Sequence, residues 1–544
     1  MKKVVIRAMS LLIVAVLLCL PLAGCGGGQD AEHAGKEVIT VSYYTGEFGD
    51  DWIKDLAEQW NATNDKYYVK PKGNLNLSNV IVADIKSGTN NDIIIAEDCN
   101  FGTIFDGNYL ESLNDLLTAI PDGDSIAIGD KIMNKDTWME MSTKNGVTYM
   151  VPYNISPTGL IFDYDRFVAN GWLFDKDGKL GGSNGIHPGK DGVEGTYDDG
   201  QPQNMDQFKA MCEKIRNSGT EVFLYMGAKN PEYVSSVGYA YLAGYLGEEG
   251  FRTFYQHDSK GAEVELYDGR KTVITIENGY ETFQMKGVDE MGRFISEYLG
   301  NRNYVSDATL NDVALTVDAS HTQFLTAGGP AFIVEGNWFE NGSRHLIDSM
   351  QNYDPDAKAY GEANYRYMLI PASTEGKSVI HSQTGGGVLV AKQENAEKRA
   401  AIMDFLTFML SDNSMGQVAQ QTGMLWNYNY DLSDEHMNGM TRFTRNAYDL
   451  LQDSQNVTVR SAFIDTASVP IYAYSALGTN YITYNLTTQQ ATLPAFVSDA
   501  GGDVQVFMQN IVDYNTADRW ETWLNQARSY GYYSQDRKTL PVQS

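Results

Sequence analysis

Aromatic, acidic and amide side chains gather at the ends of predicted strands in this 544-residue chain, and those ends are where ligand chemistry would take place. Tyr43, Tyr44 and Glu47 follow a first β-rich run, Glu97, Asp98 and Asn100 follow a third, and Trp338 follows the run 331–335 through Gly336. Glycine there lets the backbone turn at no steric cost. Tyr153 and Asn154 lie between Pro152 and Pro157 in the stretch G-V-T-Y-M-V-P-Y-N-I-S-P-T-G-L-I-F-D-Y-D-R-F, residues 146–167. Rings offer apolar faces, and carboxylates and amides offer directed hydrogen bonds, so such a set can hold a small ligand without a covalent step. Catalytic signatures are missing: there is no nucleophile elbow, triad motif or metal-protease helix. The triple glycine 385–387 precedes a strand and lacks the lysine of a phosphate loop.

Residues 175–200, D-K-D-G-K-L-G-G-S-N-G-I-H-P-G-K-D-G-V-E-G-T-Y-D-D-G, offer a different chemistry. Asp175, Asp177, Asp191, Glu194, Asp198 and Asp199 stand among eight glycines. A hard cation takes six to eight oxygens from a tightly turning loop, so the segment is a candidate structural calcium loop with Asp175, Asp177, Asp191, Asp198 and Asp199 as ligands. The alternative is a solvated acidic insertion without metal. The later ligands of an EF-hand are absent at the required spacing. His187 reads as a turn residue, because seven scattered histidines do not assemble a transition-metal site.

The elements that must position these groups alternate. Residues 38–44, 67–70 and 93–96 read as strands, and 51–61 and 80–86 as helices. Trp52, Ile53, Leu56, Ala57 and Trp60 fall on one helical face, with Asp50 and Asp51 at its positive end. This alternation predicts a largely parallel sheet with helices on both faces and ligands beyond the strands' carboxyl ends. The runs 147–151 and 160–164 read as two strands, separated at 152–159 by a passage between structural layers, since each proline removes a donor. Helices are predicted at 205–217, 231–246, 279–299, 318–326 and 395–410, and a two-piece helical tail at 504–512 and 517–530 with Trp520, Trp523 and Leu524 on a docking face.

At 544 residues the chain exceeds a single core, and two or more domains are expected. A formal charge of −29 and a pI near 4.6 argue against nucleic acid and anionic lipid as partners. Residues 1–25 read as a targeting segment: Lys2, Lys3 and Arg7, then an apolar run at 11–20 too short to span a bilayer, then Leu22-Ala23-Gly24-Cys25. Residues 26–36 are a flexible, Gly-rich tether. The remaining Cys99 and Cys212 suit either a disulfide or two buried thiols.

The tetrapeptide ending at Cys25 resembles the lipobox of bacterial lipoproteins, which implies cleavage before Cys25 and a diacylglyceryl anchor on its thiol. From there through V-P-Y-N-I-S-P-T-G-L-I-F-D-Y-D-R-F, A-F-I-V-E-G-N-W, S-Q-T-G-G-G-V-L-V-A-K-Q-E-N-A-E-K-R-A-A-I-M-D-F-L-T-F-M-L-S and Q-T-G-M-L-W, the chain resembles family 1 extracellular solute-binding proteins, the maltose-binding-protein-like receptors of ABC importers. The resemblance implies an α/β, two-lobe type II periplasmic-binding-protein fold with three hinge crossings and carbohydrate, an oligosaccharide, between the lobes. It places lobe one at 37–152 plus 373–422 and lobe two at 153–372 plus 423–544. Its ligand positions fall on Tyr44, Glu47, Asp98, Asn154, Trp338, Gly386 and Trp426. It further implies a monomer outside the cytoplasm, held to the membrane only by its lipid, a permease as partner, and no catalytic cofactor. A pyranose packs its C–H face on aromatic rings and its hydroxyl rim on carboxylates and amides. The rival functions are an anchored glycan hydrolase or lyase, which would use a carboxylate pair, and a receptor for a peptide or polyamine.

Overall fold

The computed structural model describes residues 35–461, 503–529 and 533, apart from 47, 98–103, 106, 231 and 354–356. The amino-terminal alternation is as expected: β1 (Glu37–Tyr43), α1 (Asp51–Thr63), β2 (Tyr67–Gly73), α2 (Leu77–Ser87) and β3 (Ile93–Glu97). In α1 the residues Trp52, Ile53, Leu56, Ala57 and Trp60 are all buried, which is the face their spacing predicts. β1 lies between β2 and β3, parallel to both.

Seven further strands complete a ten-stranded sheet: β4 (Val151–Asp163), β5 (Phe223–Leu224), β6 (Phe332–Gly336), β7 (Tyr365–Met368), β8 (Ser378–Val390), β9 (Leu425–Trp426) and β10 (Val457–Arg460). The order is β2-β1-β3-β8-β4-β6-β5, with β7 and β9 on β4 and β10 on β8. The sheet is mixed rather than largely parallel. β4 and β8 run antiparallel to one another, and β4 is also antiparallel to β6, β7 and β9. Two long strands that cross between lobes in opposite directions impose this on their neighbours.

The passage expected at 152–159 is part of β4, a continuous 13-residue strand. Proline withholds only a donor, and both prolines sit where the ladder is irregular: Pro152 faces Gly387, Pro157 faces Ser382, and the register shifts between them. Their carbonyls remain in use, Pro152 accepting from the Tyr428 hydroxyl at 3.0 Å and Pro157 from that of Tyr367 at 2.7 Å.

Two apolar cores lie along the sheet. One gathers Ile39, Trp52, Ile93, Val388 and Phe405, the other Phe162, Phe167, Phe223, Phe332 and Phe443. Ile380 belongs to the second and Val388 to the first, so β8 runs from one core to the other. Met424, Trp426, Tyr428 and Tyr430 pack in the first core.

In the second lobe α3 (Met205–Asn217) starts at Asn204, whose side chain accepts from Gln207 N–H. α4 (Glu232–Gln256) loses helical geometry at Gly247, φ 67°, where the sequence pattern predicts an end, and then resumes. The single helix expected at 279–299 is a 3-10 turn (Ile276–Gln284), an α-helix (Lys286–Phe294) and a π turn (Ile295–Leu299) in succession. The tail helices Val504–Tyr514 and Ala517–Ser529 dock here, burying Trp520, Trp523 and Leu524, with Trp520 Nε1 donating to Ile276 O at 2.7 Å.

Candidate functional site

A cavity of about 210 Å³ opens at the carboxyl ends of β1 and β3, against the bend of β4. Its lining is Tyr44, Gly46, Phe48, Gly49, Trp52, Glu97, Tyr153, Asn154, Ser156, Tyr233 and Trp338. The loop after β1 and the first turn of α1 supply one wall, with Gly49 at φ 74° making the turn into the helix. The opposite wall comes from the second lobe: Tyr233 in the first turn of α4 and Trp338 beyond β6, with ring centroids 6.3 Å apart.

The floor is polar. Asn154 Nδ2 donates to Glu97 Oε1 at 2.7 Å and to Ser156 Oγ at 3.2 Å, joining the end of β3 to β4. Behind the floor, Tyr153 stacks on Trp52 (5.7 Å, 27°), and Trp426 meets both edge-on at 5.6 and 6.1 Å. Burial, with the Glu97 charge adding to it, pushes the Tyr153 phenol far above its ordinary range, so it stays neutral. Its hydroxyl points away from the cavity to Met424 Sδ, 2.9 Å.

Of the residues expected at the ligand, Tyr44, Asn154 and Trp338 line the cavity. Glu47 and Asp98 lie outside the described residues. Trp426 does not reach the lining: its indole is 1% exposed and supports the Tyr153–Trp52 stack from behind. Gly386 also lies behind, where a Cβ would come within 2.9 Å of both the Asn154 amide oxygen and the Tyr153 ring. That glycine allows β8 to approach the floor; it is a packing position. Phe48, Trp52, Ser156 and Tyr233 are lining residues not selected from the sequence, while Glu97 is one of the strand-end residues named there. Glu97 carries the same strand-end signal as Asp98. Trp52 reads as a core residue because its helical spacing is that of the core, although in the first turn of α1 it reaches both core and cavity. Tyr233 has no local signal, since only the packing of α4 on the sheet brings it here.

The acidic loop uses its carboxylates internally. Asp175 accepts from the N–H groups of Asp177 (3.0 Å), Lys179 (2.8 Å) and Asn184 (3.4 Å), and these bonds hold its pKa below the ordinary range. Asp198 accepts from Lys190 and Asp191 N–H, Asp199 from Gly195 N–H, and Asp191 from Val193 N–H. Burial nevertheless raises the pKa of Asp198 and Asp199. Asp177 is exposed. Among the described residues no group of three or more His, Cys, Asp or Glu is placed to hold a metal ion. His187 accepts from Gly189 N–H at 3.0 Å, a turn contact. Cys212 is a free, fully buried thiol; Cys99 and Cys25 lie outside the described residues.

The family model described as bacterial extracellular solute-binding protein matches residues 55–437. No curated protein sequence matches the chain. Among solved structures, the fold is similar to a chitin oligosaccharide binding protein, with TM-score 0.56 and 11% identity over 91% of this chain and 99% of that one. It is also similar to RafE in complex with raffinose (TM-score 0.51, 12% identity, 89% and 99% covered) and to maltose-bound MalE3 of T. maritima (0.52, 13%, 89% and 99%). At such identities the likeness establishes the two-lobe type II fold.

Proposed function

The chain belongs to the bacterial extracellular solute-binding proteins, and from that membership we propose that it is the carbohydrate receptor of an ABC importer, taking an oligosaccharide between its lobes and handing it to a membrane permease. The observation that carries this reading is the make-up of the two walls. Tyr44 and Phe48 from one lobe face Tyr233 and Trp338 from the other across a floor of Glu97, Asn154 and Ser156. Aromatic faces suit the C–H face of a pyranose, and the floor's carboxylate, amide and hydroxyl suit its hydroxyl rim. The solved structures named above, with chitin oligosaccharide, raffinose and maltose in their descriptions, support the same class. Contacts from both lobes coexist only when the cleft is closed, so binding shifts an open–closed equilibrium about β4 and β8. The sugar is held and released unchanged, and Cys25 carries a lipid that keeps the receptor at the membrane.

A thermal-shift screen against chito-, malto- and raffinose-type oligosaccharides, polyamines and peptides tests the reading, because a specific ligand raises the melting point by mass action. Stabilisation by a glycan that chromatography then recovers intact is the expected result. Stabilisation by polyamines or peptides alone, or cleavage of the glycan, refutes it.

A further inference from the structure

Among the described residues the lining of the cavity is one-sided in charge: Glu97 is the only charged residue of the eleven, and none of them is Lys, Arg or His. Six of the eleven are aromatic, and the face of an aromatic ring carries negative potential that attracts cations and repels anions. The amino-terminal end of α1 could favour an anion through its dipole, but Asp50 and Asp51 stand at that end. Asn154 holds the Glu97 carboxylate in place from the floor, at 2.7 Å. In about 210 Å³ a bound ring has little room to carry a second negative group away from Glu97, and charges enclosed by protein are poorly screened by salt.

Resting on the carbohydrate reading above, we propose that Glu97 makes the cleft selective by charge: it admits a neutral sugar ring or one bearing an amine, and rejects sugar acids and sugar phosphates. Glu97 acts on a neutral ring as a hydrogen-bond acceptor, on an ammonium as a counter-ion, and on a carboxylate or phosphate as a like charge. The choice among ligands is thereby set as much by repulsion as by attraction.

Two measurements test this. Calorimetric titration compares glucose, glucosamine and glucuronate, and galactose, galactosamine and galacturonate, on the wild-type chain and on Glu97→Gln. The uronate should bind at least about 10-fold more weakly than its hexose, the amine at least as tightly, and Glu97→Gln should bring uronate and hexose to within about 3-fold of each other. A uronate that binds the wild type as tightly as the hexose overturns the proposal, as does a penalty that survives in Glu97→Gln.

The second measurement needs no sugar. Quenching of the Trp338 emission, taken as the difference between the wild type and Trp338→Phe, is compared for iodide, caesium and acrylamide. Glu97→Gln should raise iodide quenching at least about twofold and leave acrylamide quenching unchanged. Unchanged iodide quenching refutes the charge filter whatever the ligand. Absence of binding by every one of these sugars and by every oligosaccharide of the thermal-shift screen, with the iodide effect present, refutes the carbohydrate reading and leaves the filter standing.

Discussion

The Trp338 indole lies back across Gly336, so that a Cβ at Gly336 would overlap its six-membered ring. The strand β6 therefore ends on a glycine because the residue two places on must fold over it into the cavity wall. Gly336→Ala should push the indole out of the wall, destabilise the fold by about 1–3 kcal/mol as an over-packed site does, weaken glycan binding, and shift tryptophan emission to the red. Unaltered emission and affinity would mean that the indole does not depend on this approach.

Trp338 and Trp426 should separate cleanly on substitution. Trp338 lines the cavity and is 9% exposed, whereas Trp426 is 1% exposed behind it. Trp338→Ala should cost about 2 kcal/mol or more in glycan affinity, as an aromatic anchor does. Trp426→Ala should cost about 3–5 kcal/mol in stability, as a large core truncation does, with a smaller change in affinity per folded molecule. Calorimetry and thermal melting on both variants check the pair, and the opposite pattern would move the ligand platform to Trp426.

Glu340 predicts a pH dependence. It is 2% exposed in the short helix Phe339–Gly342, and burial pushes its carboxyl up to about 7; the Thr441 hydroxyl and the Gly361 N–H oppose this only weakly, without a full hydrogen bond. Burial raises the Tyr360 and Tyr365 phenols, and the negative charge of ionised Glu340 adds to both shifts. Below pH about 4.5 the group is protonated in folded and unfolded chains alike. As pH rises the unfolded chain ionises first, so this contribution to stability falls by about 3 kcal/mol between pH 4.5 and 7 and is level above. Denaturant melts of Glu340→Gln should show a shallower fall over that window and a higher midpoint at pH 8. Parallel pH profiles would show that Glu340 is charged without penalty.

The acidic loop should respond unequally to loss of its aspartates. Asp175→Ala removes an acceptor shared by three backbone N–H groups and should lower the melting temperature, while Asp177→Ala, at an exposed side chain, should leave it nearly unchanged. A structural calcium ion would give another result: both substitutions would be destabilising, and chelator would lower the wild-type melting temperature.

The anchor can be tested in cells. Cys25→Ser should leave the precursor unprocessed or displaced from the membrane and free of radiolabelled palmitate. Label retained on the variant would place the lipid on another residue.

What the sequence determined by itself was local and periodic. The spacing of Trp52, Leu56 and Trp60 predicts the buried face of α1, the run 205–217 coincides with α3, and Trp520, Trp523 and Leu524 bury as their positions predict. The strand-end positions of Tyr44 and Trp338 bring both to the cavity lining, as the carboxyl ends of strands in open sheets predict, whereas Asn154 lines it from within β4. Tertiary structure decided the remainder. The unbroken β4 through Pro152 and Pro157 depends on partners more than 200 residues away in β8, where the register is irregular. Tyr233 reaches the cavity through the packing of α4, and Trp426 packs behind it against Trp52 and Tyr153, so neither position could be read from local spacing. In the loop 175–200 composition supplies the carboxylates, and only the folded backbone shows which of its own N–H groups three of them, Asp175, Asp198 and Asp199, accept from.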